Sequence, residues 1–164
     1  MHKIDVIRQK ILTDQVLDSW LAIAAFKRKS IVFTNGCFDV LHRGHIIYLA
    51  KAAGLGDALV IGLNTDTSVR KLKGASRPYL DEDTRALILA SISFVSAVVL
   101  FDEDTPYNLI EKVQPDILVK GGEYKAEEIV GYDIVKAKGG DVVTVDMVEG
   151  FSSTSIINKI TGKP

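Results

Sequence analysis

The stretch FTNGCFDVLHRGHIIYLA, from Phe33 to Ala50, sets His42 and His45 three residues apart around Gly44, in a 164-residue chain with 3 histidines. On a helix, side chains at i and i+3 share a face, so the pair can offer two imidazole donors to one cluster of oxygens. Gly44 leaves the backbone between them open to close approach. Thr34, Asn35, Gly36, Cys37 and Phe38 follow an apolar run and precede the helix. This order of strand, small-residue turn and helix start exposes backbone N–H groups to an anion. Phosphate fits that chemistry. The plainer reading of such a pair is surface or satisfied core histidine, because a helix start disfavours positive charge. A zinc site would need distant ligands, since neither a nearby cysteine cluster nor HExxH spacing accompanies the rings.

Other residues gather chemistry at neighbouring loops. Asp39 reads as a turn or N-cap residue, or as a carboxylate for Mg²⁺, which takes one or two carboxylates plus substrate phosphates. Cys37 has no evident base beside it and is assigned no covalent role. NTDTSVRKLKG, read as a loop from Asn64, carries Arg70, Lys71 and Lys73, with Arg77 beyond Gly74. These cations form either a solvated surface or a lid that brings lysine to phosphate charge. Arg85 is either a surface partner of Asp81 or Glu82 or a fork for phosphate. KGGEY places Gly121 and Gly122 where backbone can meet a base or sugar, with Lys120 and Tyr124 as side-chain contacts. Ser152, Ser153 and Thr154 provide hydroxyls at a last helix start, as caps or as phosphate ligands.

The elements that must hold these loops follow from hydrophobic patterning. IVFT, ALVIGL, AVVLF, DILV and DVVTV are nearly uniformly apolar and alternate with helical stretches. Strands covered on both faces look like this, so the fold expected is α/β: a Rossmann-like open parallel sheet of about five strands with helices on both faces. Ligands then sit beyond the carboxyl ends of the strands, near the switch in strand order. Before the first of these strands, Ile4, Ile7, Ile11, Val16, Leu17, Trp20, Leu21 and Ala24 recur at helical spacing. One domain over residues 1–164 is expected, with an N-terminal helical segment over 1–28 and the core over 29–164.

Composition excludes several classes. With 47% hydrophobic residues, 25% charged residues and a formal net charge of -1, the chain has no broad basic footprint for nucleic acid or an anionic membrane. A single cysteine excludes an intrachain disulfide. Neither a secretory signal nor a spanning stretch is evident, so a cytoplasmic setting is expected.

TNGCFDVLHRGH, LKGASRP, DTRALIL and GFSSTSII together resemble the cytidylyltransferase-like nucleotidyltransferases, marked by an HxGH motif and a terminal serine/threonine-rich motif. More narrowly, GLNTDTSVRKLKGASRP, FDEDTP and PDILVKGGEY are similar to the bacterial D-glycero-β-D-manno-heptose 1-phosphate adenylyltransferases, over most of the stretch from Lys29 to Ile160. The resemblance implies a homodimer that uses ATP with Mg²⁺ and a sugar phosphate, either stand-alone or excised from a kinase fusion. It implies that His42, His45, Lys73 and Arg85 act on the phosphates and that Asp39 serves the metal. Residues 34–38, Gly44, Asn64, Lys71, Gly121, Gly122 and the hydroxyls of Ser152, Ser153 and Thr154 would bind nucleotide. Lys120 and Tyr124 would bind substrate. Two departures stand out. Ser152-Ser153-Thr154 replaces the usual STT, with Phe151 and Tyr132 bulkier than common. Met147-Val148-Glu149-Gly150 also lacks the arginine of glycerol-phosphate cytidylyltransferases, which argues against CTP. A nucleotide-binding module without turnover is the alternative from another class.

Overall fold

The computed structural model describes residues 2–146 and 152–162. The strands expected from apolar runs are β2 (Ile31–Gly36), β3 (Ala58–Asn64), β4 (Val95–Phe101), β5 (Ile117–Gly121) and β6 (Asp141–Val145). All pair in parallel, with Phe33 opposite both Val60 and Leu118. Every residue of β3 is buried, as its unbroken apolar run demands. Neighbouring strand residues point to opposite faces, and the core divides accordingly. Phe33, Val60 and Leu118 face one cluster with Leu17 of α2 (Asp14–Phe26), Ile110 of α6 (Tyr107–Val113) and Val135 of α7 (Tyr132–Ala137). Val32, Ile61 and Val119 face the other, with Leu49 of α3 (Arg43–Ala53) and Leu89 of α5 (Glu82–Ser91).

The sheet has six strands in the order β1-β4-β3-β2-β5-β6. The chain steps outward from β2 through β3 to β4, then returns to the other side of β2 for β5 and β6. The switch point therefore lies between β2 and β5.

The sixth strand corrects the N-terminal expectation. Residues 1–28 are not one helical segment: α1 (Lys3–Arg8) and α2 flank a two-residue strand, β1 (Ile11–Leu12). Ile11 and Leu12 pair with Val98 and Val99, and the Lys10 carbonyl accepts the Val98 N–H at 2.8 Å. Long-range pairing with an open edge outweighs local helical spacing there. NTDTSVRKLKG is likewise not a loop. Asp66–Lys73 forms α4, started by Thr65, whose hydroxyl accepts the Ser68 N–H at 3.2 Å. AEEIVGYDIVKAKG splits into a 3₁₀ turn (Ala126–Glu128) and α7 at Gly131. There φ is +92° and an added Cβ would meet Ile110 at 2.7 Å, so neither the backbone angle nor the space admits a larger residue. Among the described residues no helix is long and apolar enough to cross a membrane.

Candidate active site

The loops expected to carry chemistry meet at the switch point. α3 starts at Arg43 with His42 in the N-cap position and no side chain capping it. Thr65, Asp81 and Ser152 cap α4, α5 and α8 (Ser153–Thr161), whereas α2, α6 and α7 share the uncapped start of α3. An uncapped first turn keeps its N–H donors and the positive end of the helix dipole for a ligand. Gly44 is buried in that turn. Phe38, at φ 44°, bends the chain between β2 and α3 and sets its ring edge-on to His45 at 5.3 Å. Gly36 leaves room beneath it, since a Cβ there would lie 3.0 Å from that ring and press it aside.

The two imidazoles stack at 3.9 Å between centroids, although His42 stands just before the helix in extended backbone and not on the helix face its spacing suggests. Nδ1 of each is buried and has no hydrogen-bond partner among the described residues. Burial pushes the His45 pKa down to about 4, helped by the charges of His42 and Lys73. Burial also lowers that of His42. His45 is therefore neutral near pH 7, and His42 is shifted in the same direction.

A cleft of about 160 Å³ opens beside His45, lined by Asn35, Gly36, Lys73, Lys120, Gly121 and Ser153, with Cys37, Phe38, Asp39 and Tyr48 completing it. Lys73 comes from the last turn of α4, and Ser153 is held there by donating to the Val40 carbonyl at 3.0 Å. Burial raises the Cys37 thiol pKa, in keeping with an inert side chain. Burial lowers that of Lys120, whose Nζ lies 3.5 Å from Asn35 Oδ1. A cavity of about 310 Å³ shares Asn35 and Lys120 with the cleft and adds Asn64 and Tyr124. A larger cavity, about 530 Å³, lies at the opposite end of β2 and β5 beside Ile31 and Asp116 and holds none of the expected residues.

Several expected residues stand elsewhere. Thr34 is wholly buried, and its hydroxyl pairs with that of Tyr48 at 2.6 Å, so it does not reach the cleft. Tyr48 also donates to the Val119 carbonyl at 3.2 Å and so joins α3 to β2 and β5. It lies three residues after His45, on the same helix face, and that spacing was the available signal for it. Lys71 is exposed and lines neither the cleft nor the adjoining cavity. Ser152 is the exposed cap of α8, and Thr154 borders a separate hollow with Lys73 and Arg77. Gly122, at φ +109°, turns the chain under the Tyr124 ring. Residues 147–151, including the sequence departures at Met147–Phe151, lie outside the described residues.

Arg85 is neither a surface ion-pair partner of Asp81 or Glu82 nor a free fork. Only 1% exposed, it donates to the carbonyls of Leu80, Cys37 and Asn64 at 3.0, 2.6 and 2.8 Å and to Asp66 Oδ1 at 2.7 Å. Four of the five guanidinium N–H groups are thus held by protein. Arg85 ties the loops after β2 and β3 together and shapes the cleft from behind.

Asp39 is equally committed. Its Oδ1 accepts the N–H groups of Tyr79 and Leu80 at 2.6 and 3.2 Å, and Arg77 Nε stands 2.9 Å from Oδ2 as an ion pair without an aligned hydrogen bond. The carboxylate pins the strap between α4 and α5, rather than capping a helix. A magnesium ion would meet a charge already neutralised by guanidinium, so Asp39 does not fit as a metal ligand in this arrangement. Among the described residues, no group of three or more His, Cys, Asp or Glu could hold a metal. Nucleotidyltransferases commonly use a divalent metal, and Mg²⁺ keeps many ligands from phosphate and water.

An open parallel sheet with stacked histidines and an uncapped helix start at its switch point defines a Rossmann-like nucleotidyltransferase domain. The chain belongs to the cytidylyltransferase-like family, whose model matches residues 33–159. It is 53% identical over 151 residues to the bifunctional protein HldE of Syntrophotalea carbinolica, covering 92% of this chain and 31% of that protein. To HldE of Campylobacter concisus it is 57% identical over 133 residues, covering 81% and 27%. The chain thus spans about a third of the length of these curated relatives. Among solved structures, a lipopolysaccharide core biosynthesis protein from Thermoplasma volcanium GSS1 superposes with a TM-score of 0.60 at 28% identity, covering 73% of this chain and 97% of that one. Pantoate-beta-alanine ligase from Francisella tularensis, at 16% identity and a TM-score of 0.59 over 93% of this chain and 77% of its own, shares the fold alone.

Proposed function

We propose that this chain is an adenylyltransferase that joins AMP from ATP to D-glycero-β-D-manno-heptose 1-phosphate, giving ADP-heptose and pyrophosphate. The supporting observation is the convergence of His45, Lys73 and an uncapped helix start on one small cleft, with His42 stacked on His45 beside it. A pocket of about 160 Å³ is below the roughly 300–1,000 Å³ usual for a whole ligand. It accommodates a phosphate tail and leaves the nucleoside to the open edge at Gly121 and Gly122. An oxygen of the sugar phosphate bonds to the α-phosphorus while the bond to the bridging oxygen breaks, and its electron pair leaves with pyrophosphate. The attacking phosphate is already anionic near neutral pH, so no strong base is needed. Catalysis rests on alignment and on donors aimed at developing charge. Lys73 and the imidazole N–H groups are those donors, and Arg85 positions the loops that carry the cradle. A homodimer and a cytoplasmic setting belong to the same reading, and sedimentation velocity measures the first.

The test is pyrophosphate release with heptose 1-phosphate and each nucleoside triphosphate in turn. ATP alone is expected to support turnover. Preference for CTP with a polyol phosphate would replace this reading with a cytidylyltransferase, and saturable ATP binding without turnover on any acceptor would leave a binding module.

A further inference from the structure

The cavity of about 310 Å³ beside the phosphate cleft has a polarity that selects its occupant. Its wall toward the cleft is Lys120, half-buried at the end of β5 and shared by both spaces. Among the described residues no carboxylate pairs with this lysine, and its nearest polar contact is Asn35 Oδ1 at 3.5 Å. A cation drawn from water without a counter-charge favours an anion beside it. Farther from the cleft, the lining changes sign to Asp104 and Glu128. Asp104 has no ion-pair partner among the described residues, and Glu128 has only a loose one, Lys125 at 4.0 Å. These carboxylates repel phosphate and accept hydrogen bonds from hydroxyls. Asn35, at the end of β2, can accept and donate, Asn64 at the end of β3 is buried and donates to the Ser68 hydroxyl at 2.9 Å, and the half-exposed Tyr124 ring gives an apolar wall.

We infer that this cavity is the acceptor subsite, taking a polyhydroxylated phosphate monoester with its phosphate at Lys120 and its hydroxyls read by Asp104 and Glu128. The inference rests on the adenylyltransferase reading and adds the residues that choose the acceptor. The volume is at the small end of the range for ligand sites, which suits one sugar ring rather than a nucleotide. The sign change from Lys120 to the two carboxylates fixes the sugar's direction: its phosphate faces the cleft, where the α-phosphorus would lie.

Glu128→Gln and Asp104→Asn remove charge without volume at exposed positions, so circular dichroism is expected to match the unsubstituted protein. With ATP saturating, the KM for heptose 1-phosphate is expected to rise about tenfold in each, the effect of weakening one charge-assisted hydrogen bond. The KM for ATP should stay within about twofold on the same scale, and preference for the sugar over glycerol 3-phosphate should narrow. An unchanged acceptor KM in both variants, or an ATP KM rising in step with it, overturns the inference. If the unsubstituted protein turns over no acceptor at all, the adenylyltransferase reading fails instead. NMR titration of the same protein with heptose 1-phosphate then decides the subsite: amide shifts at Asp104, Thr105 and Glu128 to Val130 support it, and shifts confined elsewhere refute it.

Discussion

His45, with its pKa held near 4, stays uncharged where a free imidazole would be half protonated. The unfolded chain has the ordinary value of about 6.5 and binds the proton first, so this ring contributes no penalty above pH 6.5 and costs stability as pH falls toward 4. The charges facing it, His42 and Lys73, act in the same direction. Urea midpoints between pH 6.5 and 4.5 should fall more steeply in the unsubstituted protein than in His45→Gln; parallel curves would show that burial does not set this ring's charge. A bound triphosphate supplies the missing counter-charge and raises the ring's proton affinity, so ATP binding near pH 5.5 should take up protons, read by calorimetry in buffers of different ionisation heat. His42→Ala or His45→Ala should cut turnover about a hundredfold or more, as loss of a donor to transition-state charge does, with an unchanged thermal midpoint. Near-normal pyrophosphate release from either would remove the rings from the reaction.

At the scale of elements, Arg85 of α5 binds the loops after β2 and β3 into one frame. Arg85→Met would strand three interior carbonyls and Asp66, a loss of about 3–5 kcal/mol that should lower the melting point by roughly 10 °C. Turnover should decline with the folded fraction; a wild-type melting point with turnover lost would return Arg85 to the phosphates. How much of this was legible beforehand depends on the range of the interaction. The five long strands were readable because burial on both faces imposes apolar residues at every position, and the histidine pair because its spacing is local. β1 was not, since two residues become a strand only by meeting β4, more than eighty positions away. α4 was obscured by its cations, although Thr65 and Ser68 carried a capping signal. The bonds from Arg85 to Cys37 and Asn64, and from Asp39 to Arg77, join distant segments and leave no periodic trace. Motif resemblance names these two polar residues as site residues, and the fold adds the bonds by which they hold the frame.

For the whole molecule, the outer margin of the sheet matters most. Ile11 and Leu12 lie along β4, and the Lys10 ammonium reaches the Ile92 carbonyl at 3.2 Å, so a short N-terminal stretch closes one side of a six-stranded sheet. Deleting residues 1–13 leaves the cleft residues untouched but strips Val98 and Val99 of their neighbours, baring a row of amide and carbonyl groups that templates further strands. Such a shortened chain should retain nucleotide affinity when dilute and scatter light increasingly as its concentration rises. Two modest aliphatic residues thereby act as a selvedge, keeping a woven sheet from being stitched to its copies.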